Sequence, residues 1–387
     1  MARLNRAETQ ERNRARVLAA ARAEFADHGF RDTKVDAIAE RAELTRGAVY
    51  SNFPGKRALY FAVLAETAGQ QLEPSYREPG RTPREALGAL ARAWVTRLPL
   101  ADTEESHGAA RLGTELLSEV LGERRTRLPF AQLLQLDALL LGLALENLTR
   151  PHPTPRDDLA RLPTSWRAWP GRLVRVAETV LTTLHGASQL AAAAPGFLEP
   201  FNVVKACEQA VDLDLDDGWT VPPFLTQAEA VDAAWTPQAA TDLVRDAPAV
   251  FDDGVVAVLG LHRLAAAEDA VRALPAGSRV TAVLVTSEPG ELAPLARLVL
   301  ADLAGCLRQA FPESAWPRLQ VVLDESGALA SAAGVPAVSD GTEVAVRVEA
   351  GRIVARADGR GACHVVASSD GSMPGGPDVG SGPRRRP

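Results

Sequence analysis

The sequence predicts two kinds of structure in one chain, an all-α N-terminal two-thirds and an α/β C-terminal third. Three observations carry this. Before residue 215 the apolar residues recur at helical spacing, as Val17, Ala21 and Phe25 do. Beyond residue 250, β-branched runs such as "GVVAVLGL" and "VTAVLVTS" alternate with helical stretches, the pattern of an α/β sheet. Between the two lies "DLDLDDGWTVPP", acidic and closed by prolines, which reads as a linker.

Taken in order, the first element is an amphipathic helix from about Glu8 to Asp27, ended by "HGF", where Gly29 supplies a positive φ and Phe30 folds back as an anchor. Thr33 stands before "KVDAIAERA", where its hydroxyl can cap a second helix, with Asp36 favouring that helix's positive end. After the short turn "AEL", Thr45 is placed to cap a third helix, "RGAVYSNF". Pro54 and Gly55 stop that helix, and Lys56 opens a fourth.

Two short helices joined by a tight turn and braced by a longer one form a helix-turn-helix, whose second helix enters the major groove of a duplex. Gly47 and Ala48 are small enough for close approach. Arg46 suits guanine or a phosphate, and Tyr50 and Asn52 can donate to phosphate oxygens. Lys56 adds charge at a helix start, and Thr33 lies at the opposite edge. Thr33, Thr45, Arg46, Gly47, Tyr50, Asn52 and Lys56 are therefore the candidate contacts to double-stranded DNA. Charge agrees with this. The chain carries −7 overall, yet residues 1–61 hold twelve Lys/Arg against eight Asp/Glu.

From Thr82 to about Leu215 the pattern stays helical. Pro83 opens "TPREALGALARAWVTRL", and "FAQLLQLDALLLGLALENL" is apolar nearly all round, as a helix in the middle of a bundle must be. Two more helices follow, about Arg172–Ala194 and Glu199–Asp212. No uninterrupted apolar run reaches the roughly 20 residues that span a bilayer, and the charged N-terminus lacks a secretory signal. Three cysteines far apart and six scattered histidines give neither a disulfide pattern nor a metal spacing. The expectation is a cytoplasmic protein with no membrane segment, no metal and no cofactor.

Residues from about 11 to 66 resemble the TetR/AcrR transcriptional regulators. Phe25, Gly29, Phe30, Thr33, Ile38, Ala39, Gly47, Tyr50, Phe53 and Lys56 carry the resemblance. Asn52 and Gly55 depart from it, standing where His or Tyr, and Ser or another capping residue, are common. The resemblance implies a homodimeric regulator whose helical body binds a small-molecule effector and pairs two subunits. Geometry also asks for a dimer, since one helix-turn-helix contacts too few bases for tight specific binding. The polar groups available to an effector are Trp94, His107, Arg111, Glu115, Asp137 and Asn147. The candidate dimer interface is Val176, Val180, Leu184, Leu190, Val203, Val204, Cys207 and Val211.

The C-terminal third, about Asp253–Ser368, more distantly resembles the thioredoxin/peroxiredoxin-like fold, on "VVLDESGALASAAGV" and the hairpin "EVAVRVEAGRIVARADG". It departs where chemistry would lie. The place of the nucleophilic cysteine reads "LHRLAAAED", and Gly341-Thr342 stand where a proline is expected. A silent domain is the expectation, with no catalytic residues. A thiol enzyme or a redox sensor using Cys363 is the competing reading. The organisation expected is a head at 1–66, a helical ligand-binding and dimerisation domain at 67–215, a linker and leading helix at 216–252, a thioredoxin-like domain without redox cysteines at 253–368 and a disordered tail at 369–387. The function expected is a ligand-responsive DNA-binding regulator, released from a palindromic operator by its effector.

Overall fold

A computed structural model describes residues 6–70, 78–98, 100, 116–149, 172–274 and 278–369. The head is α1 (Arg6–Asp32), α2 (Val35–Arg41), α3 (Arg46–Asn52) and α4 (Lys56–Gln70). Within α1 the helix kinks at Gly29, φ 77, a conformation open to glycine without a Cβ penalty. The kink lets Phe30 turn back, and its ring meets Phe25 at 6.0 Å and Tyr60 of α4 at 4.9 Å. Val17, Phe25, Ile38, Val49, Phe53 and Phe61 fill the space between the four helices.

The body follows with α5 (Pro83–Val95), α6 (Leu116–Gly122), α7 (Arg124–Thr149), α8 (Val174–Ala193) and α9 (Pro200–Gln209). At the start of α5, Thr82 and Glu85 form a capping box, with Pro83 where its missing N–H is not needed. By length and composition α7 could cross a bilayer, contrary to the expectation that no segment could; most of it is buried inside the fold, which accounts for its all-round apolar surface.

The remaining chain forms a six-stranded sheet in the order β1-β8-β7-β4-β5-β6, from β1 (Glu229–Ala234), β4 (Gly254–Gly260), β5 (Val280–Val285), β6 (Leu319–Leu323), β7 (Glu343–Glu349) and β8 (Arg352–Asp358). The β4, β5 and β6 strands are parallel, whereas β7, β8 and β1 run antiparallel to their neighbours. A two-stranded ladder, β2 (Thr241–Asp242) with β3 (Ala247–Pro248), sits beside it. The helices are α10 (Ala266–Ala273), α11 (Pro289–Ala310), α12 (Ala328–Ala332) and α13 (Ala362–Ser368). The expected hairpin turns at Ala350 and Gly351, both at positive φ. The segment expected to be a linker and leading helix instead contributes β1, β2 and β3, because its alternating residues pair with β8 and with one another.

Side chains alternate across the pleat, so the sheet feeds two cores. Val256, Val258, Val283, Val285 and Val322 face α12 and the segment around Trp235 and Phe251. Val255, Ala257, Leu259, Ala282, Leu284 and Val321 face the other way, into a core that continues without interruption through the body to the head. The bridge is α11, which packs along α4, α5 and α7.

Candidate nucleic-acid interface

The second helix of the head's helix-turn-helix is α3. Thr45 is its N-cap, and its hydroxyl accepts from the Ala48 N–H at 3.2 Å. Val49 and Phe53 anchor the helix in the core, which leaves Arg46, Gly47, Tyr50 and Ser51 in water. Arg46 donates to Asp36 of α2 at 3.2 Å and lies over the Tyr50 ring at 5.5 Å. Both partners of that ion pair are mostly exposed, so solvent screens the pair and it holds the guanidinium only weakly. A phosphate or base edge can displace it. Asn52 spends one amide hydrogen on the Ala48 carbonyl at 2.8 Å, at the inner rim of the same face.

Gly47 is informative because the protein does not need it. A Cβ there would meet only the Thr45 hydroxyl, at 3.9 Å, and its φ is not positive. Glycine inside a helix costs about 0.5–1 kcal/mol relative to alanine. No contact within the protomer accounts for that cost.

Two expected DNA contacts are corrected. Thr33 does not cap α2, whose N-cap is Lys34, and it is buried. Its hydroxyl lies 2.6 Å from the Gly29 carbonyl and 3.0 Å from that of Glu24. Lys56 turns inward. Its ammonium donates to the carbonyls of Phe30, Arg31 and Thr33 at 2.6, 3.2 and 3.0 Å and covers the Phe30 ring at 4.4 Å. The kink at Gly29 leaves those carbonyls outside any helix ladder, and a cation satisfies them better than water does. Lys56→Ala is therefore expected to destabilise the head by about 2–3 kcal/mol, the scale of a lost charge-assisted cluster, as read by urea unfolding of the full chain. An unchanged midpoint would return Lys56 to the binding face. Lys34, the N-cap residue of α2, is exposed.

Residues 17–63 match the family model described as bacterial regulatory proteins, tetR family. The head is a TetR-family helix-turn-helix domain. Two curated proteins, both from Pseudomonas putida, are 46% identical to it over 65 residues, 17% of this chain. They are the HTH-type transcriptional regulator SrpR and the uncharacterized HTH-type transcriptional regulator TtgW. The match spans 30% and 48% of their respective lengths. Among solved structures, the chain is similar to a TetR transcriptional regulator from Rhodococcus sp. RHA1, 17% identical with a TM-score of 0.31, over 53% of this chain and 95% of that one. It is also similar to NalD, the secondary repressor of the MexAB-OprM multidrug efflux pump in Pseudomonas aeruginosa, 19% identical with a TM-score of 0.29, over 52% and 96%.

Behind the TetR-type head, the expected effector groups separate. His107, Arg111 and Glu115 lie outside the described residues. Asn147 is corrected, because its amide donates to the carbonyls of Ala315 and Trp316 at 3.2 and 3.3 Å and ties α7 to the C-terminal third. Trp94 is buried with its N–H on Ser188 at 2.9 Å, and His185 stands edge-on to its ring at 5.1 Å. Asp137 is buried with one carboxyl oxygen unpartnered. Burial first, and then the charge of Asp302, hold that carboxyl well above the usual range. Arg97 links the group, donating to Asp302 at 3.3 Å and to the Cys306 sulfur at 3.1 Å while covering Trp94 at 4.9 Å. Burial, aided by Arg97, lowers His185 to about 4, and its Nε2 has no partner. Arg97, His185 and Asp302 carried no sequence signal, because they come from three elements far apart in the chain.

The expected interface is also corrected. Val176, Val180, Leu184, Val203, Val204 and Cys207 are buried within the protomer, and Val211 is half-buried; only Leu190 is exposed. These apolar residues close α8 and α9 onto the body's own core. Around the α8–α9 turn Leu190, Phe197 and Phe201 are exposed, the last two 72% and 82% accessible, and Phe224 and Leu225 are exposed on the segment before β1.

All three cysteines are buried. Burial raises the Cys207 thiol to about 12 and Cys306 to about 11, and it pushes Cys363 well above its ordinary value. Raised thiols hold their protons and are poor nucleophiles. Among the described residues, no cluster of His, Cys, Asp or Glu converges as a metal site requires.

Proposed function

We propose that the protein is a homodimeric, effector-responsive transcriptional regulator that binds double-stranded DNA through α3. The observation that carries this is the exposed face of Arg46, Gly47 and Tyr50, and above all a helical glycine there that no internal contact explains. The bare corner of Leu190, Phe197 and Phe201 supports a second subunit packing there, since aromatic side chains this exposed mark an interface. The unpartnered polar atoms of Asp137, His185 and Arg97, enclosed by α5, α7, α8 and α11, support an effector bound in the body. Buried polar groups without partners are the exception in a fold, and a ligand's donors and acceptors would satisfy them.

The strand order of the C-terminal third supports a thioredoxin-like reading, with β4 and β5 parallel and joined by a helix and with the β7–β8 hairpin returning antiparallel on β4. The buried, raised thiols favour a regulatory role for it over thiol chemistry. In this reading the protein works in the cytoplasm. Its effector and its operator weaken each other's binding by the same factor.

Selection of bound genomic fragments, followed by anisotropy titration across salt, tests the reading. The expected site is a palindrome with half-sites about one helical turn apart, roughly 34–36 Å. Gly47→Ala is expected to raise fold stability by about 0.5–1 kcal/mol while weakening duplex binding at least about tenfold, or roughly 1.4 kcal/mol. Opposite signs in the two measurements separate a groove contact from a folding defect. Retention of wild-type affinity in Gly47→Ala would move the docking face elsewhere, and a chain that ignores every duplex at low salt would end the proposal.

A further inference from the structure

A cavity of about 350 Å³ lies outside the body, between the head and the C-terminal third. Its walls are α1 and α4 on one side and α11 and the β2–β3 hairpin on the other. Leu18, Ala65, Leu243 and Ala301 line it with apolar surface. Its charges divide into paired and unpaired groups. Glu66 is held by Arg22 at 3.2 Å, and Glu325 accepts from Arg297. Among the described residues, Arg14 and Arg308 have no carboxylate partner within 4.0 Å. Arg308 places one guanidinium hydrogen on the Val244 carbonyl at 2.9 Å, and Arg14 places one on the Asn52 carbonyl at 3.5 Å. Three arginines and three carboxylates line the cavity, and with Glu66 and Glu325 each held by an arginine, Arg14 and Arg308 are the cations left without a carboxylate contact.

The geometry points to a binding site for a small amphipathic carboxylate, with its chain against the apolar wall and its carboxylate on the guanidinium of Arg308. Arginine's planar fork matches a carboxylate better than any other donor the cavity offers. The size falls at the lower end of small-molecule pockets.

Occupancy reaches the recognition helix through Arg14. That side chain lines the cavity, donates to the last residue of α3 and covers the Phe53 ring at 4.5 Å. A carboxylate in the cavity competes for the guanidinium and loosens the support under the end of α3, so occupancy lowers duplex affinity. That consequence rests on the DNA-binding reading above; the site itself does not.

Titration calorimetry of the full chain with octanoate, octanol and octylammonium tests the site without DNA. One octanoate is expected to bind per chain, with octanol at least tenfold weaker and octylammonium silent. Arg308→Gln is expected to weaken octanoate at least tenfold, and Ala301→Trp, which fills the cavity and keeps its charges, to do the same. Both variants are checked for wild-type thermal midpoints, and the second stands in should the first not fold. Absence of saturable octanoate binding, equal binding of octylammonium, or affinity untouched by both variants overturns the site. Where the selected duplex is bound, octanoate is expected to lower its affinity at least threefold in the wild type. Unchanged duplex affinity in saturating octanoate overturns the coupling and leaves the site standing.

Discussion

A chain cut after residue 215 is expected not to fold. The linker-like composition of 213–223 suggests the opposite, a helical regulator that would survive alone with a dispensable sheet domain behind it. The packing of α11 decides the matter. Fourteen of its twenty-two residues are buried, among them Leu292, Leu295, Leu298, Val299, Leu303 and Leu307, which takes more than one face of the helix. The helix packs along α4, α5 and α7 and shares one apolar core with the inward side chains of β4, β5 and β6. Removing α11 exposes its partners on α4, α5 and α7 at about 1.5–3 kcal/mol for each large apolar side chain. Four or five such residues match the whole stability of an ordinary domain, about 5–15 kcal/mol. Polar ties are lost with it. Arg57 at the start of α4 pairs with Glu291 at 2.5 Å, Arg125 with Glu288 at 3.0 Å, and Gly80 donates to the Ala310 carbonyl at 2.9 Å. The measurements are solubility and circular dichroism of residues 1–215, with calorimetry of the full chain. The expected outcome is an aggregated or molten fragment and one cooperative transition for the intact protein. A soluble, cooperatively melting fragment would show that the shared core adds little.

That contrast marks what is legible in a sequence. Helical and strand periodicity report which face of an element is buried, so α1 to α5, α7, α11 and the β7–β8 hairpin could be read from spacing and turn residues. Periodicity does not report what a face is buried against. Leu292 and Leu295 look the same whether they cover their own sheet or the neighbouring bundle. Val176, Val180 and Leu184 look the same whether they meet the protomer's core or a second subunit. Polar residues near a chain reversal carry the same ambiguity. Thr33 and Lys56 have the chemistry of phosphate contacts, but the carbonyls freed by the kink at Gly29 lie nearer than any solvent-side ligand. Thr45 was legible because a capping threonine acts within its own turn. Arg97, His185 and Asp302 were not, because their grouping requires the tertiary fold.

One contact made by that fold has an expected effect of similar size. Glu146 of α7 and Arg272 of α10 form a two-pronged ion pair, with both bonds at 2.7 Å and the side chains only 5% and 11% exposed. Glu146 also accepts from the Leu173 N–H at 3.3 Å, and Glu268 takes the Arg272 Nε at 3.3 Å. Glu146→Ala strips the guanidinium of both short bonds and leaves a nearly buried cation with one long contact. Breaking such a pair from one side costs about 3–5 kcal/mol. Replacing both partners by apolar residues of similar volume, Glu146→Leu with Arg272→Met, removes the attraction and the desolvation cost together, so the double variant is expected within about 1 kcal/mol of wild type. Urea unfolding of Glu146→Leu, Arg272→Met and the double variant completes the cycle and isolates the coupling. If Glu146→Ala alone costs less than about 1 kcal/mol, then Arg272 has moved to Glu268 or to water. The pair would then orient α10 on the bundle without stabilising it.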